Sequence, residues 1–284
     1  MESNIITNLF LPLALGIIML GLGLSLSIDD FKRVVLYPKA IFIGLLCQMI
    51  ILPIICFFIA TTFGLPAELA VGLMLLAASP GGATANLYSH LSKGDVALNI
   101  SLTAVNSLLT LFTLPFIVNF SISYFMESGI IIPMQFKKVI EVFAIVLVPV
   151  SIGMYIKSKF PNFTVKLDKP VKILSALFLV FIIAATILKE KEQIGNYFQQ
   201  VGLAALSFNI LSMLLGYYIP QLFRIEKKQA ISIGMEIGIH NGTLAIYIAL
   251  SVIGNSAMSI PPAVYSLIMF FTAALFGWWV SKKS

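Results

Sequence analysis

Apolar runs without charge dominate the chain. Residues 3–28, 40–67, 69–92, 96–126 and 193–223 each lack Asp, Glu, Lys and Arg. Each matches or exceeds the ~20 residues a helix needs to cross the hydrocarbon core of a bilayer. Continued along the chain, the pattern predicts about nine helices, over 5–28, 40–63, 66–90, 95–124, 131–156, 168–188, 194–223, 229–252 and 259–281. The fifth and sixth have shorter charge-free stretches, 142–156 and 173–188. In the fifth, Lys137 and Lys138 stand four and three residues before Glu141, a spacing that lets them pair or snorkel and so extend the helix. The first run follows Met1-Glu2-Ser3-Asn4, without a basic lead-in, and is longer than the core of a cleaved leader, so it reads as a permanent span.

Composition narrows the class. The chain is 59% hydrophobic and 11% charged, with mean hydropathy +1.01, against about a quarter charged residues in a soluble domain. A soluble enzyme, a nucleic-acid binder and a disordered protein are all excluded on that ground. The 18 Lys and Arg residues are also unevenly placed. Lys32, Arg33, Lys39, Lys93, Lys157, Lys159, Lys166, Lys169, Lys172, Arg224, Lys227, Lys228, Lys282 and Lys283 fall in odd-numbered loops or the C-terminus, and only Lys137, Lys138, Lys189 and Lys191 on the opposite side. By the positive-inside rule this predicts a multi-pass protein of the cell (inner) membrane, N-terminus outside and C-terminus cytoplasmic, with Trp278 and Trp279 as an interfacial anchor. Cys47 and Cys56, nine residues apart in apolar helix, fit neither a metal site nor a disulfide framework.

Two segments break the pattern. The third span contains Ser79-Pro80-Gly81-Gly82-Ala83-Thr84-Ala85-Asn86 and the eighth contains Glu236-Ile237-Gly238-Ile239-His240-Asn241-Gly242-Thr243. Proline and glycine interrupt a membrane helix only where other protein groups or a cavity take up the freed backbone. Glu236 is the one carboxylate deep in a span, at a cost of about 2.5–3.5 kcal/mol at a helix centre, so it marks a functional site. The breaks also correspond between halves: Gln48 precedes Gly72 by 24 residues, and Asn209 precedes Gly234 by 25. Because the third span starts outside and the eighth inside, this is the signature of inverted-topology repeats, one over roughly 5–124 with broken helix 66–90, the other over roughly 131–281 with broken helix 229–252. Residues 1–284 then form a single transmembrane unit.

Crossing discontinuous helices place freed carbonyls and helix dipoles together at mid-membrane, where carbonyls with one carboxylate suit a hard monovalent cation. Gln48, Asn86, Asn99, Thr103 and Asn106 add neutral oxygens. Asn99, Thr103 and Asn106 lie at i, i+4 and i+7, on one helix face. Taken singly, such residues also serve as hydrogen bonds between helices, and it is convergence with Glu236 that makes them a site.

Pro80-Gly81-Gly82 with Asn86, Gln48 upstream, and Glu236-Ile237-Gly238-Ile239-His240-Asn241 downstream resemble the bile acid:sodium symporter family. So do Leu15 to Ser25 and Leu65 to Gly72. The resemblance implies an all-α multi-pass fold of nine helices, as in animal members, rather than the ten frequent in bacterial ones. It implies a core domain with the two crossing broken helices, a panel domain moving against it, and two sodium ions as coupling ions with no other cofactor. It places one sodium at Asn86, Asn99, Thr103 and Glu236, and the other at Gln48, Glu236, His240 and the backbone of Ile237 and Ile239. Asn241, with the backbone near Ala83 and Thr84, would face an organic anion. Ala85 stands where serine is usual, Asn99 where serine is frequent, and His240 where glutamine is common.

The function expected is secondary active sodium symport of an organic anion, bile acid-like or a small monocarboxylate such as pantoate, by a monomer in the lipid bilayer. The lack of a basic residue at mid-span favours a monoanion. The rival is proton coupling through Glu236 and His240, since histidine titrates near neutrality. A channel or receptor without coupled transport is a different class. An intramembrane hydrolase lacks support in the sequence, which carries no H-E-x-x-H motif or paired aspartates in spans, and His90 beside Ser89 and Lys93 reads as a solvated helix end.

Overall fold

The computed structural model describes residues 9–126, 136–189 and 194–282. Every regular element among them is helical. The side chains of Lys137, Lys138, Lys169, Lys172 and Lys189, and residues 1–8, Lys191 and Lys283, lie outside the described part, so those members of the charge count have no structural counterpart here.

Helix α1 (Leu11–Ser25) ends where Leu26 turns extended, and α2 (Ile28–Lys32) restarts behind a capping box. Asp30 Oδ2 takes both the amide and the hydroxyl of Ser27 at 2.6 Å, and its Oδ1 takes Arg33 at 2.5 Å. The first expected span is therefore bent by 71° near its end. Next, α3 (Pro38–Leu46) and α4 (Leu52–Thr62) form one span joined by a π turn over Cys47–Ile51. Pro53 has no amide to offer the Met49 carbonyl, which is the local reason for the widened turn, and Gln48 sits inside it.

The third span is α5 (Ala67–Ala77) and α6 (Ala85–Leu91), interrupted at the expected place. Helix α7 (Val96–Phe125) starts at Asp95, whose side chain caps the Leu98 amide at 3.0 Å. Helices α8 (Phe136–Lys159), α9 (Pro161–Lys189) and α10 (Ile194–Leu222) follow. The eighth span is α11 (Lys227–Gly238) and α12 (Gly242–Tyr247), the latter running on through a π turn to Ile253. Helix α13 (Ile260–Lys282) closes the described chain. Among the described residues five helices are long and apolar enough to cross a membrane unaided, or six with the bent first pair; α5 and Gly242–Ile253 are shorter, as an interrupted span requires. Sixth-helix residues begin earlier than expected, at Pro161 rather than 168, because proline suits the first helical turn.

The helices pack in two groups. Helix α1 lies mainly on α8 and α9, and closely enough that a Cβ on Gly23 would collide with the Val150 backbone. The others surround α11: α10 packs on α11 and α13, α5 on α7, and α6 and α7 on α11. Two hydrogen bonds join parts of the chain that are distant in sequence. Lys157 donates to the Ser25 carbonyl at 2.6 Å, joining the ends of α1 and α8, and the Asp95 amide donates to the Lys228 carbonyl at 3.1 Å, joining the loops before α7 and α11. Lys282 lies 3.8 Å over the Trp278 ring.

Candidate cation and substrate site

The two helix breaks satisfy each other. The Gly82 amide donates to the Ile239 carbonyl at 2.6 Å and the Asn241 amide to the Pro80 carbonyl at 2.8 Å, an antiparallel bridge centred on Gly81 and His240. Lipid offers no hydrogen bonds, so mutual pairing is what permits both interruptions at mid-span. Asn241 is thereby diverted from the Ile237 carbonyl one turn back, which is left without its helical donor.

A polar side chain from the preceding span braces each break. Gln48 Nε2 donates to the Ser79 carbonyl and Asn209 Nδ2 to the Gly238 carbonyl, both at 2.9 Å. The two bonds span 31 and 29 residues, each running from one span to the break in the span that follows it. They are not equivalent beyond that. Thr272 donates to Asn209 Oδ1, whereas Gln48 Oε1 is buried with no partner among the described residues.

Glu236 is 1% exposed and lies on α11 against Gly81, where any Cβ would overlap its carboxylate. Thr103 donates to its Oε2 at 2.6 Å while also bonding the Asn99 carbonyl at 3.0 Å. Asn99 Nδ2 donates at 2.8 Å to the carbonyl of Ser232, one turn before Glu236. Asn106 lies further along the same face, close to the carboxylate, without closing a bond on Oε1. Gln48 and Asn99 each spend the amide nitrogen on a backbone carbonyl and keep the oxygen, whereas Asn106 accepts from Thr110 through Oδ1 and its Nδ2 is without a partner among the described residues. Gln48 Oε1, Asn86 Oδ1, Asn99 Oδ1 and Glu236 Oε1 are all buried and unpartnered among the described residues. A buried acceptor without a donor costs about 1–3 kcal/mol, and a cation removes that cost for several oxygens at once. Three amide oxygens and one carboxylate are hard donors, the set that suits an alkali ion better than a transition metal.

The expected first-site residues Asn99, Thr103 and Glu236 are thus brought together on α7 and α11, and α6, which carries Asn86, packs on both. Gln48, Ile237, Ile239 and His240 gather at the crossing. The Ile239 carbonyl is already engaged by Gly82, and His240 bonds Tyr265 instead of an oxygen of the site. Ala83 and Thr84 are exposed in the break between α5 and α6. Asn241 is 8% exposed and its Oδ1 caps the Leu244 amide at 3.0 Å, so only its amide nitrogen is left for another partner. Sequence reasoning missed Ser232 and Tyr265. Ser232 stands four residues before Glu236 and was findable from that spacing; one tyrosine in the last apolar span carries no such signal.

The description "Sodium Bile acid symporter family" belongs to the family model that matches residues 12–197. The chain belongs to the sodium bile acid symporter family. The match takes in the first broken helix, and similarity to individual relatives extends across the second. The protein of Bacillus subtilis named "Uncharacterized sodium-dependent transporter YocS" is 28% identical over 275 residues, 96% of this chain and 84% of the relative. The rice chloroplastic "Probable sodium/metabolite cotransporter BASS2" is 27% identical over 264 residues, 93% of this chain but 61% of the relative. The rabbit ileal sodium/bile acid cotransporter is 25% identical over 277 residues, 96% of this chain and 79% of the relative. Membership of this symporter family makes the chain a membrane transporter and not an enzyme, with sodium as the family's coupling ion.

Proposed function

We propose that this protein is a secondary active symporter that couples inward sodium movement to uptake of an organic monoanion by alternating access. The observation that carries the reading is the set of four unpartnered buried oxygens, Gln48 Oε1, Asn86 Oδ1, Asn99 Oδ1 and Glu236 Oε1, carried by the two broken spans and the spans packed on them. One sodium takes Asn86, Asn99, Thr103 and Glu236; a second takes Gln48, Glu236 and His240 with the backbone of Ile237 and of Ile239, whose carbonyl also accepts from Gly82. The anion sits beside them against Ala83, Thr84 and the Asn241 amide. No Lys or Arg is among the buried polar residues described, so bound sodium and neutral dipoles hold the anion. That favours one negative charge over two, in a bile acid-like acid or a small monocarboxylate such as pantoate.

Coupling follows from shared geometry. Sodium between α6, α7 and α11 fixes Asn86 and Asn241 in the arrangement the anion needs, and by linkage the anion raises sodium affinity by the same factor. Two sodium ions with one monoanion carry one net charge inward, worth about 2.3 kcal/mol per 100 mV. The helices around α11 form the core and α1, α8 and α9 the panel that rocks against it, with the N-terminus outside and the C-terminus cytoplasmic.

The test is equilibrium binding of taurocholate and of pantoate to purified protein at fixed ionic strength, with sodium exchanged for choline. Affinity for one of them rises with sodium, and Glu236→Gln removes the rise. Binding that ignores sodium and instead follows pH between 5 and 8 establishes proton coupling through Glu236 and His240.

A further inference from the structure

His240 and Tyr265 meet in a buried contact whose protons can be assigned. Tyr265 on α13 is fully buried and His240 is 1% exposed. The Tyr265 hydroxyl lies 2.9 Å from the Gly238 carbonyl and 3.1 Å from His240 Nδ1. Two oxygens at 2.9 Å need a proton between them and a carbonyl has none, so the tyrosine donates to Gly238. Its oxygen is then available only as an acceptor toward His240, and the 3.1 Å contact requires the proton on Nδ1. In the neutral ring, Nε2 on the opposite edge therefore carries a lone pair. Nε2 is buried and unpartnered among the described residues.

The ring is also held in place. It stands edge-on to Tyr265, with centroids 5.3 Å apart at 89°, and Phe208 closes the cluster at 5.6 Å from His240 and 5.8 Å from Tyr265. Gly238 is the residue whose carbonyl Asn209 braces from α10. One backbone oxygen thus anchors the end of α11 and, through Tyr265, the tautomer of His240 two residues further on.

We propose that Tyr265 is a positioning residue that locks His240 as its Nδ1–H tautomer, so that the Nε2 lone pair is presented at the crossing as a ligand for the coupling cation. This rests on the sodium reading above. A histidine that binds a cation through one nitrogen needs a fixed acceptor on the other, and loss of that acceptor typically costs 10–100-fold in affinity. Without Tyr265 the proton can move to Nε2, which then points an N–H at the cation.

The chain has two histidines, and His90 is exposed at the end of α6. In His90→Gln protein labelled with nitrogen-15 histidine, the single remaining imidazole reports both nitrogens by NMR. The expected result is a protonated Nδ1, an unprotonated Nε2, and an Nε2 signal that moves when sodium replaces choline. Tyr265→Phe, which keeps the ring, gives mixed tautomers and lowers apparent sodium affinity about 10–100-fold. In the His240→Gln background, where no tautomer exists, the same substitution changes sodium affinity less than about twofold. A proton on Nε2 in otherwise unaltered protein overturns the inference, as does an equal loss of affinity in both backgrounds, which would reduce Tyr265 to packing. Sodium-promoted anion binding with an unmoved Nε2 overturns the ligand role of His240 alone. Anion binding indifferent to sodium overturns both this inference and the symport reading.

Discussion

Thr103 and Glu236, 133 residues apart in the chain, meet at 2.6 Å through a hydroxyl that donates to Oε2. The bond ties α7 to the last turn of α11 and leaves Oε1 of the same carboxylate without a partner among the described residues. One oxygen is held by the fold and the other is open to an ion.

Glu236→Gln keeps the shape and removes the charge. Apparent sodium affinity falls by about 30-fold or more, the range expected when one partner of a buried charge pair is lost. The check is thermal unfolding in sodium against choline. The native protein is stabilised by about 2.7 kcal/mol at sodium a hundredfold above its dissociation constant. The variant keeps about 0.9 kcal/mol of this or less at the same sodium concentration; full sodium stabilisation in it would sink the assignment of the carboxylate.

Thr103→Val removes the donor to Oε2 at nearly constant volume. A hydrogen bond to a charged group contributes about 1.5–3 kcal/mol, so the sodium-free protein melts earlier, and Thr103→Ser restores most of the difference. Adding sodium narrows the gap, because the ion meets the carboxylate from the other side. A deficit unchanged by sodium would show that the hydroxyl serves packing only.

Gly81→Ala places a methyl group where the Glu236 carboxylate lies. Overpacking of this kind costs about 1–3 kcal/mol, and here the atoms displaced belong to the site itself. Sodium-dependent anion binding is lost while the protein still enters the membrane. Gly195→Ala, where a Cβ meets nothing within 4 Å, leaves binding unchanged; equal behaviour of the two variants would refute the role given to the close approach.

Gln48→Ala and Asn209→Ala separate two residues that look alike in sequence. Asn209 spends both ends of its amide, on Gly238 and on Thr272. Its loss lowers stability by about 1–3 kcal/mol and leaves sodium dependence in place. Gln48 keeps Oε1 unspent, so its loss also weakens sodium activation. Melting curves and sodium titrations on both variants decide the matter, and identical profiles would remove Gln48 from the site.

The sequence by itself determined the membrane character, the helical class, the positions of both breaks and the presence of one costly carboxylate, Glu236, within a span. These follow from local properties. Charge-free length, the missing proline amide at Pro80 and the cost of a carboxylate in hydrocarbon act on a segment whatever it packs against. Helix starts were legible to within a few residues at Asp95 and Pro38, whereas the start at Pro161 was not. The bend after Ser25 was not either, because the charge-free run continues past it to Ile28 and the Ser27–Asp30 capping box that restarts the helix straddles the end of that run.

Only the tertiary structure decided which polar atoms are spent and which remain free. Gln48 and Asn209 each donate to the carbonyl at a helix break, and it takes Thr272, arriving from α13, to close the oxygen of one and not the other. The pairing of Gly82 with Ile239 and the assignment of the His240 proton by Tyr265 likewise join segments far apart in sequence. A side chain's donors and acceptors are written in its identity, but their availability depends on the neighbour that packing brings within about 3 Å.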